Sequence, residues 1–422
     1  MKTKTLFFEA VLLLFCSNAL FAQFAGGNGT PADPYQISTR EQLEEVKNNL
    51  SSDFILMNDI DLSGGNWTTI IGSLDTPFSG TFNGNGKVIE NITIETTNWW
   101  SGFFGYASGV IKNLFLKDIS VSGTSILGGL VGQIDGATIM NCAVSGSITG
   151  TGNIIGGIVG CIYNNGGTVL NCWTDVDVRG SLTIGSIIAQ CNNNATVSNC
   201  ISMGSVKADG RGAGAIAYFG NDEIPAPVNT VSGMVAINNN IERISTWGGP
   251  EHFGRIIGTR NGTEGSLTDN IASENVVFTN LEGKVIDTGL TTKDGATKTD
   301  VEMKQQSTYS AIGFDFGANE SAPWYITGNT VYPVLWFMDR VLSETSNNEI
   351  RKQHIKLYPN PVIHTLTIEN VHVKGVKVFN IVGKLMGYYT SSSINVSNLP
   401  EGHYCLQVLS DEGMTTATFI KR

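Results

Sequence analysis

Charge is scarce in this chain. Asp, Glu, Lys and Arg make up 15% of its 422 residues, against about 25% in ordinary globular chains. The balance is acidic, with a formal net charge of −11. No basic stripe of the kind that tracks a phosphate backbone is present. The densest basic cluster, Arg351-Lys352 with His354 and Lys356 close by, reads as part of a solvated linker. Nucleic acid is therefore excluded as a partner. No apolar run beyond the N-terminal leader approaches the ~18 residues of a membrane span. The Ala, Glu, Lys and Leu richness of helical bundles is missing, yet the 41% apolar share is too high for a disordered chain. Histidine is nearly absent, and His252 stands alone between the leader and that linker. Without a paired C-x-x-C, an H-E-x-x-H or a Gly-rich phosphate loop, no metal, cofactor or Ser/His/Asp set can be drawn.

Glycine is what the chain has in excess. There are 50, about one residue in eight against a usual ~7%, without the strict triplet of collagen. Many fall in a recurring motif: Gly102-Phe103-Phe104-Gly105, Gly129-Leu130-Val131-Gly132 and Gly157-Ile158-Val159-Gly160. It degrades to Ser186-Ile187-Ile188-Ala189, Ala215-Ile216-Ala217-Tyr218 and Arg255-Ile256-Ile257-Gly258. The first residues are 27, 28, 29, 29 and 40 apart. A second column keeps nearly the same period: Asn113, Asn141, Asn171, Asn199, Asn229 and Asn270. The long last step implies an insertion within Asn221–Glu251.

Between the columns the apolar pattern has period two, as in Leu170, Cys172, Val176 and Val178, so the unit is built of strands. Three short strands and three turns fill about 28 residues, one coil of a parallel β-helix. Six visible coils plus two or three upstream give a solenoid roughly 35–45 Å long at the ~4.8 Å strand spacing. Cys142, Cys172 and Cys200 then stack in the interior. Buried thiols and disulfides between neighbouring coils both fit that column. The Asn column falls at a bend, where side chains can bond backbone and one another. Both raw edges need caps. Ser38–Val46 predicts a short helix, with Ser38 and Glu41 as a capping box. Val301–Thr308 and the segments Trp324–Ile326 and Val331–Phe337 predict a closing helix and flap.

These residues resemble a known family. Phe78-Ser79-Gly80-Thr81-Phe82-Asn83-Gly84-Asn85-Gly86 followed by Gly102-Phe103-Phe104-Gly105 is similar to the GLUG-repeat proteins, which are secreted or surface right-handed parallel β-helices. Pro34–Ile37 with Asp59–Gly64 resembles their N-terminal cap, and Trp324–Ile326 with Tyr332–Leu335 their closing segment. The likeness covers about residues 32–338 and implies a fold more than a function.

The two ends carry addresses. Lys2 and Lys4, an apolar run over Ala10–Phe15 and the small residues up to Ala22 predict an export leader cleaved between Ala22 and Gln23. Residues 23–338 then form the solenoid with its caps, and 339–354 a polar linker. Residues 355–422 hold seven short strands at about ten-residue spacing, which predicts a small immunoglobulin-like β-sandwich. That tail resembles the sorting domain of the type IX secretion system, through Tyr358-Pro359-Asn360-Pro361, Gly383-Lys384, Gly402, Tyr404 and Lys421. The resemblance implies the type IX machinery as a partner, passage through the periplasm to the outer surface or medium, and attachment to surface lipopolysaccharide.

For function, the outward neighbours of the thiol column are the expected ligand face: Phe115, Ala143, Trp173, Ile201 and Val231, with Asp175, Asp177 and Arg179 alongside. Asp175 and Asp177 sit at i, i+2, compatible with the ~5 Å pair of a retaining glycosidase, though neighbouring coils add no acid. Trp99, Trp100 and Trp247 read as loop anchors or ligand contacts. The expectation is a non-catalytic module that binds glycans or host proteins. A carbohydrate-active enzyme and a passive surface stalk are the alternatives.

Overall fold

The structure is a computed structural model. It describes residues 24–338 except 153, 193, 221–227, 246 and 262–264, and residues 356–422 except 370–372, 381–383 and 411–412. The expected leader with Ala22 and Gln23, the expected linker and Gly383 lie outside the described residues. The chain divides into two compact units, one up to Phe337 and one from Met338 onward.

The first unit is a parallel β-solenoid of about 8 turns. One middle coil runs through strands Ile126–Gly128, Val131–Ile134 and Thr138–Gly150. Each strand pairs in parallel with its counterpart one coil away on either side: Val131 with Phe104 and Val159, Leu127 with Trp100's neighbour Ser101 and with Ile155. Stacking makes two six-stranded sheets and one 19-stranded sheet that follows the long strands around their bends. The alternation read from the sequence places like on like. Ile134, Ile162, Cys191 and Phe219 form one buried column, and Ile139, Val169, Val197 and Val231 another. Each such side chain contributes about 1.5–3 kcal/mol on full burial.

The glycine motif has a steric cause. A Cβ at Gly157 would lie 1.9 Å from the Ser186 carbonyl oxygen, and one at Gly129 would lie 2.3 Å from that of Gly157. Backbone of the next coil passes where a side chain would stand. Ile216 pairs with Ile188 and Ile257, so the column runs Ser186, Gly214, Arg255. The expected motif start at Ala215 is thus one residue late. At Arg255 the column ends in a buried cluster. Its Nε donates to the Asp294 carbonyl at 2.9 Å, and Asp294 Oδ2 takes Lys284 Nζ at 2.8 Å. The Lys293 carbonyl takes the Ile256 and Ile257 N–H groups, and Asp294 Oδ1 takes that of Arg255. Lys284 pairs with Asp294, while the Arg255 guanidinium is held by the carbonyls of Ser273, Asp294 and Gly295.

The Asn column repeats one bend over four coils, and its side chains bond to one another at the upstream end. Asn113, Asn141, Asn171 and Asn199 hold φ of 51–55°, a left-handed bend that Asn tolerates. Asn141 Nδ2 donates to Asn113 Oδ1, and Asn113 Nδ2 to Asn83 Oδ1, each at 3.1 Å. Asn229 and Asn270 do not continue it. The lengthened coils shift the register, so Ser198 pairs with Ser232 and Ser232 with Thr268; the bend is carried on by Gly233 and Asp269, with φ of 62° and 58°. Asn229 instead accepts Ala195 N–H at 2.8 Å, and Asn270 accepts Met234 N–H at 2.9 Å from the thiol column. Cys142, Cys172 and Cys200 are fully buried free thiols. Burial pushes Cys142 and Cys200 well above the ordinary thiol value.

The caps form with small shifts. The N-terminal helix is Arg40–Glu44, capped by Thr39 through Gln42 N–H, one residue after the expected Ser38. Leu43 and Val46 join the core. At the other end Glu302–Lys304 and Gln306–Ser310 lead into an antiparallel flap of Phe316–Asn319, Ala322–Tyr325 and Val334–Leu335. The flap lies along the Asn ladder. Asn199 Nδ2 donates to Gly313 O at 2.8 Å, Trp324 Nε1 to Asn171 Oδ1 at 3.3 Å, and Asn141 Nδ2 to Glu320 O at 3.1 Å.

The second unit has the seven strands expected: Lys356–Tyr358, Thr365–Glu369, Val373–Asn380, Leu385–Tyr389, Ser393–Asn395, Gly402–Ser410 and Gly413–Lys421, in sheets of three and four. Asn360 joins the Tyr358–Pro361 segment to the last strand, donating to Thr418 O and accepting Ile420 N–H. Tyr404 stacks on Phe419 and donates to Pro400 O at 2.8 Å. Lys384 N–H closes a turn on Asn380 Oδ1, and Lys421 is buried beside the Val362 bridge.

Replacing Gly157 by Val forces Cβ into the Ser186 carbonyl, a cost beyond the ~1–3 kcal/mol of ordinary overpacking. Circular dichroism and limited proteolysis should show loss of folded chain. Gly64→Ala, where the nearest atom is Arg40 Nη1 at 3.9 Å, should fold normally.

Candidate binding groove

The expected ligand face divides in two. Phe115, Ala143, Trp173 and Ile201 do stack in register. The next member is Val235, and Val231 belongs to the interior column instead. All are closed to solvent: Phe115 is 1% exposed, Trp173 4% and Ile201 0%. They follow the Asn bend by two residues, the edge along which the flap is bonded. Phe115 and Trp173 meet edge to face at 6.3 Å. These three are core residues and cannot be a ligand surface.

Asp175, Asp177 and Arg179 are exposed. Asp177 Oδ1 accepts the Ser205 N–H at 2.9 Å, a bond between coils. Surrounding protein, and then the Asp177 charge, raise the Asp175 carboxyl above its ordinary value. Arg179 borders a shallow depression of about 660 Å³ lined mostly by Thr, Ser and Gly, with Glu95 on its far side.

A second surface was not foreseen. The outward positions of one six-stranded sheet run Tyr106, Gln133, Cys161, Gln190, Tyr218 and Thr259. Those of the other run Trp100, Ile126, Ile154, Thr183 and Arg211. Between the two rows lies a groove of about 360 Å³, bounded also by Leu74, Trp99, Tyr163, Asn164 and Asn192. A further 520 Å³ depression adjoins it across Leu74, Trp99 and Trp100.

The walls are held by their own bonds. Asp135 accepts Tyr106 Oη–H at 3.2 Å, Asn164 Nδ2 at 3.3 Å and Asn165 N–H at 2.8 Å. Gln133 Nε2 donates to Tyr106 Oη at 3.3 Å, and Gln190 Nε2 to Asn192 Oδ1 at 3.0 Å. Burial, and then the Asp135 charge, hold the Tyr106 phenol above its ordinary value. Burial pushes the Cys161 thiol up to about 12, so at neutral pH it is an inert lining group. Trp99 is 63% exposed and meets Trp100 edge-on at 6.4 Å. Trp100 Nε1 is shielded from water and has no acceptor in this structure. No side chain lining the 360 Å³ groove carries a charge.

Sequence reading picked out Trp99 and Trp100 but not the amides. Their signal was a third column, the residue after the motif's closing small residue: Gln133, Cys161, Gln190, Tyr218.

The structure also lines up a set that the sequence did not suggest. His252 Nδ1 lies 3.1 Å from Thr259 Oγ1, and Nε2 3.5 Å from Glu251 Oε1. The hydroxyl is secondary, and the mostly exposed Glu251 orients the imidazole only weakly. Among the described residues, no group of three or more His, Cys, Asp and Glu is placed to hold a metal ion.

Comparisons with known proteins fit both units. Residues 356–422 match the secretion system C-terminal sorting domain. That tail directs the chain to the cell surface or the medium through the type IX machinery. Residues 123–149 match the GLUG motif, a stretch that spans one coil. Halomucin of Haloquadratum walsbyi is 29% identical over 221 residues, 49% of this chain and 2% of that protein. A protein of Evansella cellulosilytica described as a Gly-rich membrane protein is 37% identical over 123 residues, 26% of this chain and 14% of its own length. The chain thus matches only a small fraction of either relative. A solved Bacteroides ovatus structure, described as a candidate immunoglobulin A1 protease, superposes with a TM-score of 0.62 at 23% identity, covering 75% of this chain and 96% of that one. At that identity the likeness speaks to the fold alone. No helix among the described residues is long and apolar enough to cross a membrane.

The Asp175 shift sets a pH test. The folded chain holds this proton to higher pH than the unfolded chain, so ionisation removes stability as pH rises through the folded value. Asp175→Asn should raise the thermal midpoint at about pH 7 and leave it unchanged near pH 3, where the carboxyl is protonated in the folded chain. An equal shift at both pH values would contradict the assignment.

Proposed function

We propose that this chain is an exported, non-catalytic binding module for glycans or host proteins, and that the groove between Trp99 and Asn192 is its recognition surface. The observation that carries the reading is the exposed Trp99 ring at the mouth of an uncharged groove lined by aromatic, amide and aliphatic side chains. An indole in that position offers a flat apolar face for a sugar ring or a protein side chain. Gln133, Asn164, Gln190 and Asn192 each combine donor and acceptor capacity. The sorting tail delivers such a surface to where extracellular ligands are met. Attachment to surface lipopolysaccharide belongs to the same proposal.

The Thr259, His252 and Glu251 line supports a second reading, a hydrolase on the same scaffold. A glycan array and a panel of host glycoproteins, probed with the full chain, separate the two. Trp99→Ala should lower binding roughly tenfold or more, about 1.4 kcal/mol, while His252→Ala leaves it unchanged. Product release from a bound ligand that vanishes in His252→Ala would overturn the non-catalytic reading.

A further inference from the structure

We infer that the ligand of the groove is a linear, uncharged glycan lying along the solenoid axis, with successive sugar rings on successive coils. This rests on the groove being the recognition surface. The first support is its direction. Leu74, Trp99, Gln133, Cys161 and Gln190 come from five successive coils. At the ~4.8 Å strand spacing this makes a path of roughly 19 Å parallel to the axis. A pyranose ring with its linkage advances by a similar length, so the path holds about four rings, one per coil step.

The second support is charge. The lining has none, while the chain as a whole is at −11. A uronic or sialic acid chain would meet no cation from Leu74 to Gln190, Arg211 standing one coil beyond, and would be repelled by the surrounding field. Asp135, the nearest acid held in the wall, is already committed to three donors. The third support is chemistry. The amides recur along the path and are fixed by bonds that use one atom each, Gln133 Nε2 and Gln190 Nε2. The carbonyl oxygen of each still accepts, which suits hydroxyl donors repeated at a regular interval. The aromatic residues stand on the second coil of the path, at Trp99 and Trp100, and on the fourth, at Tyr163, where ring faces can stack. A peptide would instead present its own backbone donors and acceptors, and the groove offers no strand edge to pair them, because both sheets are bonded to neighbouring coils along this stretch.

The test is calorimetry on the full chain with cello-, malto- and chito-oligosaccharides of two to six rings, and oligogalacturonates of the same lengths as the charged comparison. In at least one neutral series the affinity should rise tenfold or more from two rings to four and then level off. The charged series should bind at least tenfold more weakly. Trp99→Ala and Gln190→Ala, three coils apart on the path, should each remove the gain from the longer ligands, with circular dichroism confirming that both variants fold. Affinity that is independent of length, or oligogalacturonate binding as tightly, overturns the inference, as does failure of every neutral series. The proposed function is judged separately. If a host protein binds and Trp99→Ala abolishes it, the groove stands and the glycan assignment falls. If Trp99→Ala changes no binding at all, the groove itself is the wrong surface.

Discussion

Every feature of the solenoid depends on parallel strand register between coils. Each strand bonds its backbone to residues one coil away, and side chains alternate in and out along it. A slip of one residue would turn the interior columns to solvent. The pairing of Val131 with Phe104 and Val159, or Ser145 with Asp175, is therefore not one contact among many. It forces glycine where coils approach closest, and it stacks Asn141 on Asn113 and Cys172 on Cys200. It also explains how the stack ends. Where no further full coil follows, the Lys293 carbonyl and the Arg255, Asp294 and Lys284 side chains share the bonding, and the flap is bonded along the bend.

The same register makes the groove. Residues about 28 positions apart in sequence become neighbours, so one outward polar residue per coil is enough to build a wall. The composition follows from where that wall sits. The face of Phe115 and Trp173 lies next to the bend along which the flap is bonded and is buried, with the two rings in contact. The outward residues of the two short sheets mix amides and aromatics with Cys161, Ile126 and Ile154 along the groove. Low overall charge follows from a long packed interior.

Much of this was legible in the sequence. The repeat, the β-solenoid and all seven strands of the tail were readable, because period-two alternation and a ~28-residue period are local signals repeated many times. What failed depended on partners far along the chain. Alternation shows that Trp173 points away from the thiol column, but not that residues near 313–324 run along that bend. The Asn229 and Asn270 positions matched the spacing, yet longer coils moved the bend to Gly233 and Asp269. Thr39 replaced Ser38 as a cap because two adjacent hydroxyl residues are equivalent on propensity alone. The groove was missed for a similar reason: one amide every 28 residues resembles a scattered polar surface until the coils are stacked.

The account turns on whether the register-built path is what holds the ligand, and a crystal structure of the full chain with a neutral oligosaccharide tests this most directly. It should show the sugar rings running along the solenoid axis, over Trp99 and on to Gln190. A sugar lying across the coils, or seated on the Asp175–Arg179 strand, would contradict it.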